Sequence, residues 1–362
     1  MKRKITEMSV FEFFLCMFVI LIHLLSEGVD TLPKWSFWSV LFFSLTKLTT
    51  FAVPGFVFTS AVKLFYQYGD RNRFSYLRFL WGRTKKVVFP YLLASVVYYA
   101  VFVWILHIYQ FDLDQFLGLL INGNLSAQFY FVILIVQFYL MMPIWMSFSR
   151  VKNKLFVIFL MIGALALTIL SRMYFPYEAA TNKIFPSYLI FWFLGSYVGL
   201  HYEAFETIIA KSKPLIYVGW LLLAVAHCIL SYMQFGGLIA YKFSPVIVVL
   251  FCFFSICGFY SYARELTFSL ERRGKGLLTS ISQASYDIYL IHCLIIMVLY
   301  RILTQWGIDN ILPRFGIAFL VTYGISIIFC VLKATLFANL KAKRLRASAT
   351  RARKMARRKR YL

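Results

Sequence analysis

The first apolar segment of the chain reads MSVFEFFLCMFVILIHLL, from Met8 to Leu25. Apart from Ser9, Glu12 and His23, every residue in it is apolar. A helix of this length rises about 27 Å, close to the ~30 Å hydrocarbon core of a bilayer. Basic residues precede the segment, as in a secretory signal, but no small-residue cleavage site follows it. We therefore interpret it as an uncleaved membrane-spanning helix.

The rest of the chain has the same character. Of its 362 residues, 61% are hydrophobic and 14% are charged, and the mean hydropathy is +0.75. Soluble domains are roughly 45–50% apolar with about a quarter of their residues charged, so the composition excludes a water-soluble fold. We predict an all-α, polytopic membrane helix bundle with a kink at Pro54 in its second span. About ten spans are expected, with the approximate bounds Met8–Leu25, Leu41–Phe65, Val87–Ile108, Ala127–Phe148, Leu155–Leu170, Ile184–His201, Leu215–Met233, Phe243–Tyr262, Ile281–Leu303 and Phe315–Phe337.

Basic residues are divided unequally between the two sides of such a bundle. Short cytoplasmic loops of membrane proteins collect Lys and Arg. If both termini are cytoplasmic, 31 of the 38 basic residues lie on the cytoplasmic side and seven on the other. This asymmetry predicts an even number of spans with both termini in the cytoplasm.

The chain ends in a basic segment, with eleven basic residues and no acidic residue between positions 341 and 362. Charge beside a last span is the usual orientation signal, and each basic residue near an anionic bilayer contributes about 1 kcal/mol to membrane binding. We therefore divide the chain into a transmembrane domain, residues 1–340, and a basic cytoplasmic tail, residues 341–362, that contacts membrane lipids. A nucleic-acid or partner-binding arm is the less favoured alternative, and no nucleic-acid partner is expected.

Ionisable residues inside spans are costly to bury, so each is a candidate for function. His23 lies fifteen residues beyond Met8, or ~22 Å along a helix, which is past the membrane midplane. Its imidazole suits a general base or an acyl-relay group because it titrates near neutral pH. A packing histidine is equally compatible with its position. The ionisable residues within the predicted spans are Glu12, His23, Lys47, His227, Asp287 and His292.

The ninth predicted span contains the stretch SYDIYLIHCLI, from Ser285 to Ile295. Ser285, Tyr289 and His292 recur there at helical spacing on one face. A polar stripe on an apolar helix is expected to face the bundle interior. The six cysteines also lie in apolar segments, without metal-ligand or redox spacing, so we interpret them as small buried hydrophobes and expect no metal site.

A cluster of cations precedes the third predicted span, in RNRFSYLRFLWGRTKKVVFPY. Several cations at one helix start could bind a multiply anionic ligand such as a nucleotide phosphate, although they also fit a topology signal. Glu12 is expected at the same depth as Arg83, which suggests an ion pair between them. No phosphate-binding loop, zinc-protease motif, nucleophile elbow or dinucleotide glycine pattern is present. The cations of the cluster are Arg71, Arg73, Arg78, Arg83, Lys85 and Lys86.

Six segments together resemble the bacterial integral-membrane acyltransferase family called acyltransferase 3. They are ITEMSVFEFFLCMFVILIHLL, FAVPGFVFTSAV, GRTKKVVFPYLL, FYFVILIVQFYLMMPI, YLIFWFLGSYVGLHYE and SYDIYLIHCLI. These segments follow the family's order along nearly the whole chain. The resemblance implies transfer of an acyl group from cytoplasmic acyl-CoA to a cell-envelope carbohydrate, in a bacterial cell membrane and with no bound cofactor.

The resemblance also implies roles for individual residues. His23 falls on the family's catalytic first-span histidine, and Arg83 and Lys86 fall on the paired arginine motif, which would bind the CoA donor. Two positions depart from the family pattern. Glu12 stands where an arginine is usual, and Lys86 offers charge without the planar guanidinium fork. The residues expected to line the path or orient the acceptor are Glu12, Ser285, Tyr289 and His292, and those that could stack on sugar rings are Tyr130 and Tyr139.

Two functions remain open. The first is an O-acyltransferase that moves an acyl group, acetyl or succinyl, from acyl-CoA to a hydroxyl of an envelope glycan or lipid-linked sugar. The chain also resembles the membrane proteins that accompany poly-N-acetylglucosamine synthesis. The second function is therefore an exporter or flippase of a surface polysaccharide without bond chemistry, in which His23 gates or couples protons. The sequence favours the first, because the paired broken segments frequent in transporters are not seen.

Overall fold

A computed structural model describes residues 5–69, 74–174, 182–240, 244–272 and 285–358. Every regular element within these ranges is helical. Short 3₁₀ turns precede two of the helices, at Ala127–Phe129 and Phe185–Tyr188, and a π-helical turn, Thr84–Val88, joins α4 to α5. The helices are α1 (Thr6–Thr31), α2 (Phe37–Thr49), α3 (Ala52–Tyr68), α4 (Tyr76–Arg83), α5 (Phe89–Trp104), α6 (Leu113–Asn122), α7 (Tyr130–Leu140), α8 (Met142–Phe148), α9 (Lys154–Tyr174), α10 (Leu189–Leu200), α11 (Tyr202–Lys211), α12 (Lys213–Phe235), α13 (Ser244–Arg272), α14 (Ser285–Gln305) and α15 (Ile311–Arg358).

The fold confirms the predicted polytopic helix bundle. In the described ranges, eight helical segments are long and apolar enough to cross a membrane. Leu113–Asn122 and Ala127–Leu140, bent by 53° at their junction, make a ninth if they count as one span. The predicted sixth span is a shorter apolar helix, Phe185–Leu200. The orientation of the bundle and the division at residue 340 stay predictions, and the side chains of residues 341–362 lie outside the description.

Prolines explain interruptions in two of the predicted spans. The second span is interrupted at Thr50 and Phe51, in the turn that precedes Pro54. Pro54 has no N–H to donate to the Thr50 carbonyl four residues earlier, so the interruption agrees with the predicted kink. The predicted span Ala127–Phe148 likewise ends as a helix at Leu140, and Pro143 begins the separate short helix α8. In both places proline lies at a helix start.

The first helix is the centre of the bundle and packs against α2, α3, α13, α14 and α15. The Cys16 thiol donates to the Ser285 carbonyl of α14 at 3.3 Å. The Tyr323 hydroxyl of α15 donates to the Met17 carbonyl at 2.7 Å. These contacts place the middle of α1 between the last two helices, so its polar side chains face protein.

Two glycines allow α10 to approach α3 at backbone distance. A Cβ atom added to Gly195 would lie 2.4 Å from the Phe58 carbonyl oxygen, and one added to Gly199 would lie 2.6 Å from that of Val62. The spacing of four residues puts both glycines on one face of α10. Small residues at this spacing let membrane helices pack without intervening side chains.

We expect Gly195→Ala to destabilise the protein by about 1–3 kcal/mol, because the new methyl group must displace the backbone of α3. Gly163→Ala is the matched control, since a Cβ atom there meets nothing within 4 Å. Thermal unfolding of the two purified variants in the same detergent would measure the difference. Equal midpoints would show that the α3–α10 contact is looser than described.

Candidate active site

Two histidines from distant parts of the sequence lie together inside the bundle. The rings of His23 on α1 and His292 on α14 have centroids 5.2 Å apart and planes inclined at 45°. Cys16 contacts Ser285, and His23 and His292 each lie seven residues further along, so the two helices run side by side in the same direction. His292 is fully buried and His23 partly buried. The open side of this pair is therefore the His23 side.

The orientation of His292 follows from its hydrogen bonds. Its Nδ1 atom lies 3.1 Å from the Ile288 carbonyl, which only accepts, so Nδ1 carries the proton. In the neutral ring, Nε2 is then an acceptor. The Cys293 thiol lies 3.3 Å from this Nε2 atom. The arrangement is a thiol that donates to an imidazole held in one tautomer.

A tyrosine from α5 reaches the backbone of α14 at this place. The Tyr98 hydroxyl accepts from the Leu294 amide at 2.8 Å and donates to the Leu290 carbonyl at 2.9 Å. In a regular α-helix these two backbone groups pair with each other. The Gln128 side-chain amide donates to the same hydroxyl at 2.8 Å. The Tyr98 side chain thus bridges two backbone groups of α14 beside His292 and Cys293. A side chain inserted between such groups is a known cause of helix distortion.

The other residues of the α14 stripe point in different directions. The Tyr289 hydroxyl donates to the Gln128 carbonyl, and the Tyr289 ring lies 5.9 Å from that of His292. Ser285 is buried, and its carbonyl accepts from Cys16. Tyr289 therefore holds the 3₁₀ turn before α7, whereas Ser285 and His292 lie along α1.

The predicted donor-binding residues take up different environments. Arg83 ends α4 beside the π-helical turn, and its guanidinium lies over the rings of Phe79 (5.4 Å) and Tyr139 (5.7 Å). Lys86, three residues later, is exposed. Arg83 thus faces the bundle and Lys86 faces away from it. Two further members of the cation cluster, Arg71 and Arg73, lie outside the described residues.

The predicted ion pair between Glu12 and Arg83 is wrong. Glu12 pairs with Lys63 of α3, whose ammonium also donates to Ser9 at 3.3 Å. Lys63 is closer because α3 packs directly on α1, whereas the Arg83 guanidinium is held against aromatic rings. Lys63 entered the sequence interpretation only as a topology signal.

A second ion pair lies further along α1, beyond His23 from the Glu12–Lys63 pair. Glu27 follows His23 by four residues, which puts the two on one face of α1. Its carboxylate lies 3.0 Å from Arg314 of α15, and the Arg314 guanidinium also donates to the Thr304 hydroxyl at 2.9 Å. The guanidinium lies 4.8 Å from the centre of the Tyr300 ring. From sequence, Arg314 was only one of the seven basic residues predicted to lie outside the cytoplasm, and Glu27 had no predicted role. Sequence interpretation therefore missed this network.

Asp287 and His227 lie away from the histidine pair. Asp287, interpreted from sequence as either solvated or functional, pairs with Lys333 of α15. His227 is buried in α12, with its ring 4.9 Å from that of Phe251 and Nδ1 3.2 Å from the Ser231 hydroxyl. These surroundings resemble those of a packing histidine.

Three side chains could together hold a metal ion. The ligand atoms of His23, His292 and Cys293 all lie within 4.8 Å of one another. Two imidazoles and a thiolate are a donor set that Zn²⁺ accepts, with a fourth position left open. The expectation of no metal stays a prediction.

Comparison with known proteins gives the chain a family. The model of the family described as "Acyltransferase domain" matches residues 5–331. Two similar curated proteins, from Staphylococcus epidermidis and Staphylococcus aureus (strain MSSA476), are each named "Probable poly-beta-1,6-N-acetyl-D-glucosamine export protein". Each is 22% identical to this chain. The first match spans 338 residues, 90% of this chain and 91% of the relative, and the second spans 350 residues, 90% and 92%. No solved structure matches.

The family match and the apolar helices both indicate a membrane protein. A match over nearly all of the chain includes α1 with His23 and α14 with His292. The helices long enough to cross a bilayer make it a multi-pass membrane protein, and its relatives are bacterial. The chain belongs to the membrane acyltransferase family that this model defines.

Proposed function

We propose that the protein is an O-acyltransferase that moves an acyl group, acetyl or succinyl, from cytoplasmic acyl-CoA to a hydroxyl of an envelope glycan or lipid-linked sugar. The pairing of His23 with His292 in the bundle interior carries this proposal. Titratable groups are rarely buried in a membrane without a chemical task. Membership of the acyltransferase family supports the same reaction class.

His23 is the group that activates the acceptor. Its ring makes no hydrogen bond to any side chain or backbone group in the described ranges, so a ring nitrogen remains available to substrate. A histidine so placed takes the proton of the acceptor hydroxyl as the oxygen attacks the acyl carbonyl. His292 limits the movement of the His23 ring from one side, and its own ring is fixed by Ile288.

Arg83 and Lys86 bind the phosphates of the donor. Within the described part of the chain, Arg83 contacts aromatic rings and pairs with no carboxylate, so its charge is not already neutralised. The aromatic rings hold the guanidinium in place, and a fixed guanidinium can bind phosphate through two parallel hydrogen bonds. Lys86 adds an exposed charge one helical turn away.

Export of a polysaccharide is the second candidate function. The names of the staphylococcal relatives favour it. So does the polar face of α1, where the pairs Glu12–Lys63 and Glu27–Arg314 lie on either side of His23 along the helix. Charged pairs at two depths are what a gated passage would need. In that case the protein would move its glycan without changing it.

We expect His23→Ala to reduce acyl transfer by about 10²–10⁴-fold, because the hydroxyl loses its base. The matched control is His227→Ala, a histidine in a span away from the pair, which should keep transfer within about twofold once protein levels are equal. The measurement is mass spectrometry of surface glycans from a deletion strain complemented with each variant.

The same assay separates the two functions. An acyltransferase leaves the glycan at the surface without its ester in both the deletion strain and the His23→Ala strain. If surface glycan instead disappears and accumulates inside with its chemistry unchanged, the protein is an exporter and the residue roles given above are wrong.

We expect Arg83→Gln to raise the KM for acyl-CoA about tenfold, which corresponds to about 1.4 kcal/mol, because a phosphate loses its guanidinium partner. Arg150→Gln, at an exposed position after α8, is the matched control and should change the KM less than twofold. Initial rates in nanodiscs with labelled acyl-CoA would test this. Equal KM values for the two variants would remove Arg83 from the donor site.

A further inference from the structure

We propose that Cys293 carries the acyl group as a thioester between acyl-CoA and the acceptor. This inference rests on the proposed acyltransferase function and adds a covalent intermediate to it. The carrier is the thiol that lies 3.3 Å from His292 Nε2. A nucleophile within hydrogen-bonding distance of a base, with the base oriented by a third group, is the general arrangement for covalent catalysis. Ile288 is the orienting group here.

The contact between His292 and Cys293 is unusual for neighbours in a helix. Successive α-helical side chains diverge by about 100°, so adjacent residues do not normally face each other. In this chain the Tyr98 hydroxyl bridges the backbone groups of Leu290 and Leu294, on either side of the pair. Gln128 completes the hydroxyl's hydrogen bonds. Tyr98 and Gln128 are therefore positioning residues for the thiol and the imidazole.

Three other cysteines, Cys16, Cys228 and Cys257, lack this environment in the described part of the chain. The Cys16 thiol lies against the Ser285 carbonyl, and that of Cys228 lies 3.7 Å from the Ser44 carbonyl. A carbonyl accepts the thiol hydrogen but cannot take the proton away as the sulfur attacks. Cys257 lines an apolar cavity of about 280 Å³ that is enclosed by α3, α10, α11, α12 and α13. Only an imidazole beside the sulfur makes a general base available.

The first half of the reaction loads the carrier. The Cys293 sulfur attacks the thioester carbonyl of acyl-CoA while its proton passes to His292 Nε2. The bond between the acyl carbon and the CoA sulfur then breaks, and the CoA sulfur takes the proton from His292 and leaves as a free thiol. One thioester replaces another, so the step needs no oxidant, reductant or further reactant. Because thiol and imidazole begin and end neutral, no net charge is left in the bundle, where charge is costly.

The second half unloads the carrier at His23. The acceptor hydroxyl gives its proton to His23 as its oxygen attacks the Cys293 thioester. The bond between the acyl carbon and the Cys293 sulfur breaks, and the sulfur takes that proton back from His23. The ligand atoms of His23, His292 and Cys293 lie within 4.8 Å of one another, so the acyl group can meet both bases without a large movement. Two bases at one thiol would explain why the site has two histidines.

The test uses purified full-length protein in nanodiscs, with ¹⁴C-acetyl-CoA and ¹⁴C-succinyl-CoA in turn and no acceptor. Wild type should retain label that hydroxylamine releases, and peptide mapping should place it on Cys293. Without acceptor, wild type should also transfer label from ³H-labelled free CoA into unlabelled acyl-CoA, as a ping-pong enzyme does. Cys293→Ala should lose the label, the exchange and at least 100-fold of the transfer to glycan. Cys257→Ala, a substitution of a cysteine with no imidazole beside it, should lose none of them.

The His23→Ala variant gives the sharpest result. If Cys293 is the carrier, this variant should still load label onto Cys293 and still exchange CoA, yet transfer nothing to the acceptor. A merely structural role for Cys293 would not produce this separation. Tyr98→Phe, which loses the hydroxyl bridge, should load label at least tenfold more slowly while Cys293 remains the labelled residue.

Several outcomes would overturn the proposal that Cys293 carries the acyl group. Full transfer by Cys293→Ala would show that Cys293 is not the carrier. Label mapped to His23 would show the same. Either result would leave the proposed acyltransferase function standing. Zinc bound in a 1:1 ratio by wild type, absent from Cys293→Ala and accompanied by no label, would reassign the three residues to a metal site. Absence of transfer by wild type from either donor would overturn the proposed function itself. If Cys293→Ala does not fold, the peptide map of wild type and the His23→Ala result decide the question.

Discussion

The hydrocarbon of a bilayer offers no hydrogen bonds, and this constraint organises the structure around α1. The helix carries Glu12, Cys16, His23 and Glu27 through a depth where lipid cannot satisfy them. Glu12, Cys16 and Glu27 find protein partners instead: a lysine from α3, a carbonyl from α14 and an arginine from α15. His23 packs its ring against an imidazole of α14. The order of packing about α1 follows from this requirement. Elements far apart in sequence are brought to one helix because its polar face must be covered.

Much of the fold could be predicted from sequence, because the length and hydropathy of a span are local properties. The buried stripe of Ser285 and His292 was predictable for the same reason. The meeting of His23 with His292 was not, since it depends on the relative height and rotation of two helices more than 250 residues apart. Shared depth was also too weak a criterion for the Glu12 partner. Arg83 was expected at a similar depth, but Lys63 belongs to the helix that packs on α1.

Tyr98 and Gln128 show a different limit of sequence interpretation. Tyrosine is common in this chain, with 24 examples, so nothing in its sequence distinguishes Tyr98 from those that pack in the core. Its hydroxyl acts on the backbone of another helix, and backbone contacts leave no pattern in the partner's sequence. The consequence is chemical, because the bridged turn is the one that carries His292 and Cys293. The acyltransferase family is thus evident in the spans, whereas the chemistry at this site depends on contacts visible only in three dimensions.

The π-helical turn at Thr84–Val88 separates the part of the helix that carries Arg83 from the part that spans the bundle. Such a turn is equivalent to one residue inserted into an α-helix, and it rotates the residues before it by roughly 100° relative to the residues after it. Loss of a single residue there would leave the span and the net charge nearly intact while turning Arg83 away from Tyr139. Insertions and deletions, more than substitutions, are therefore the changes by which related chains could acquire or lose this placement of the arginine.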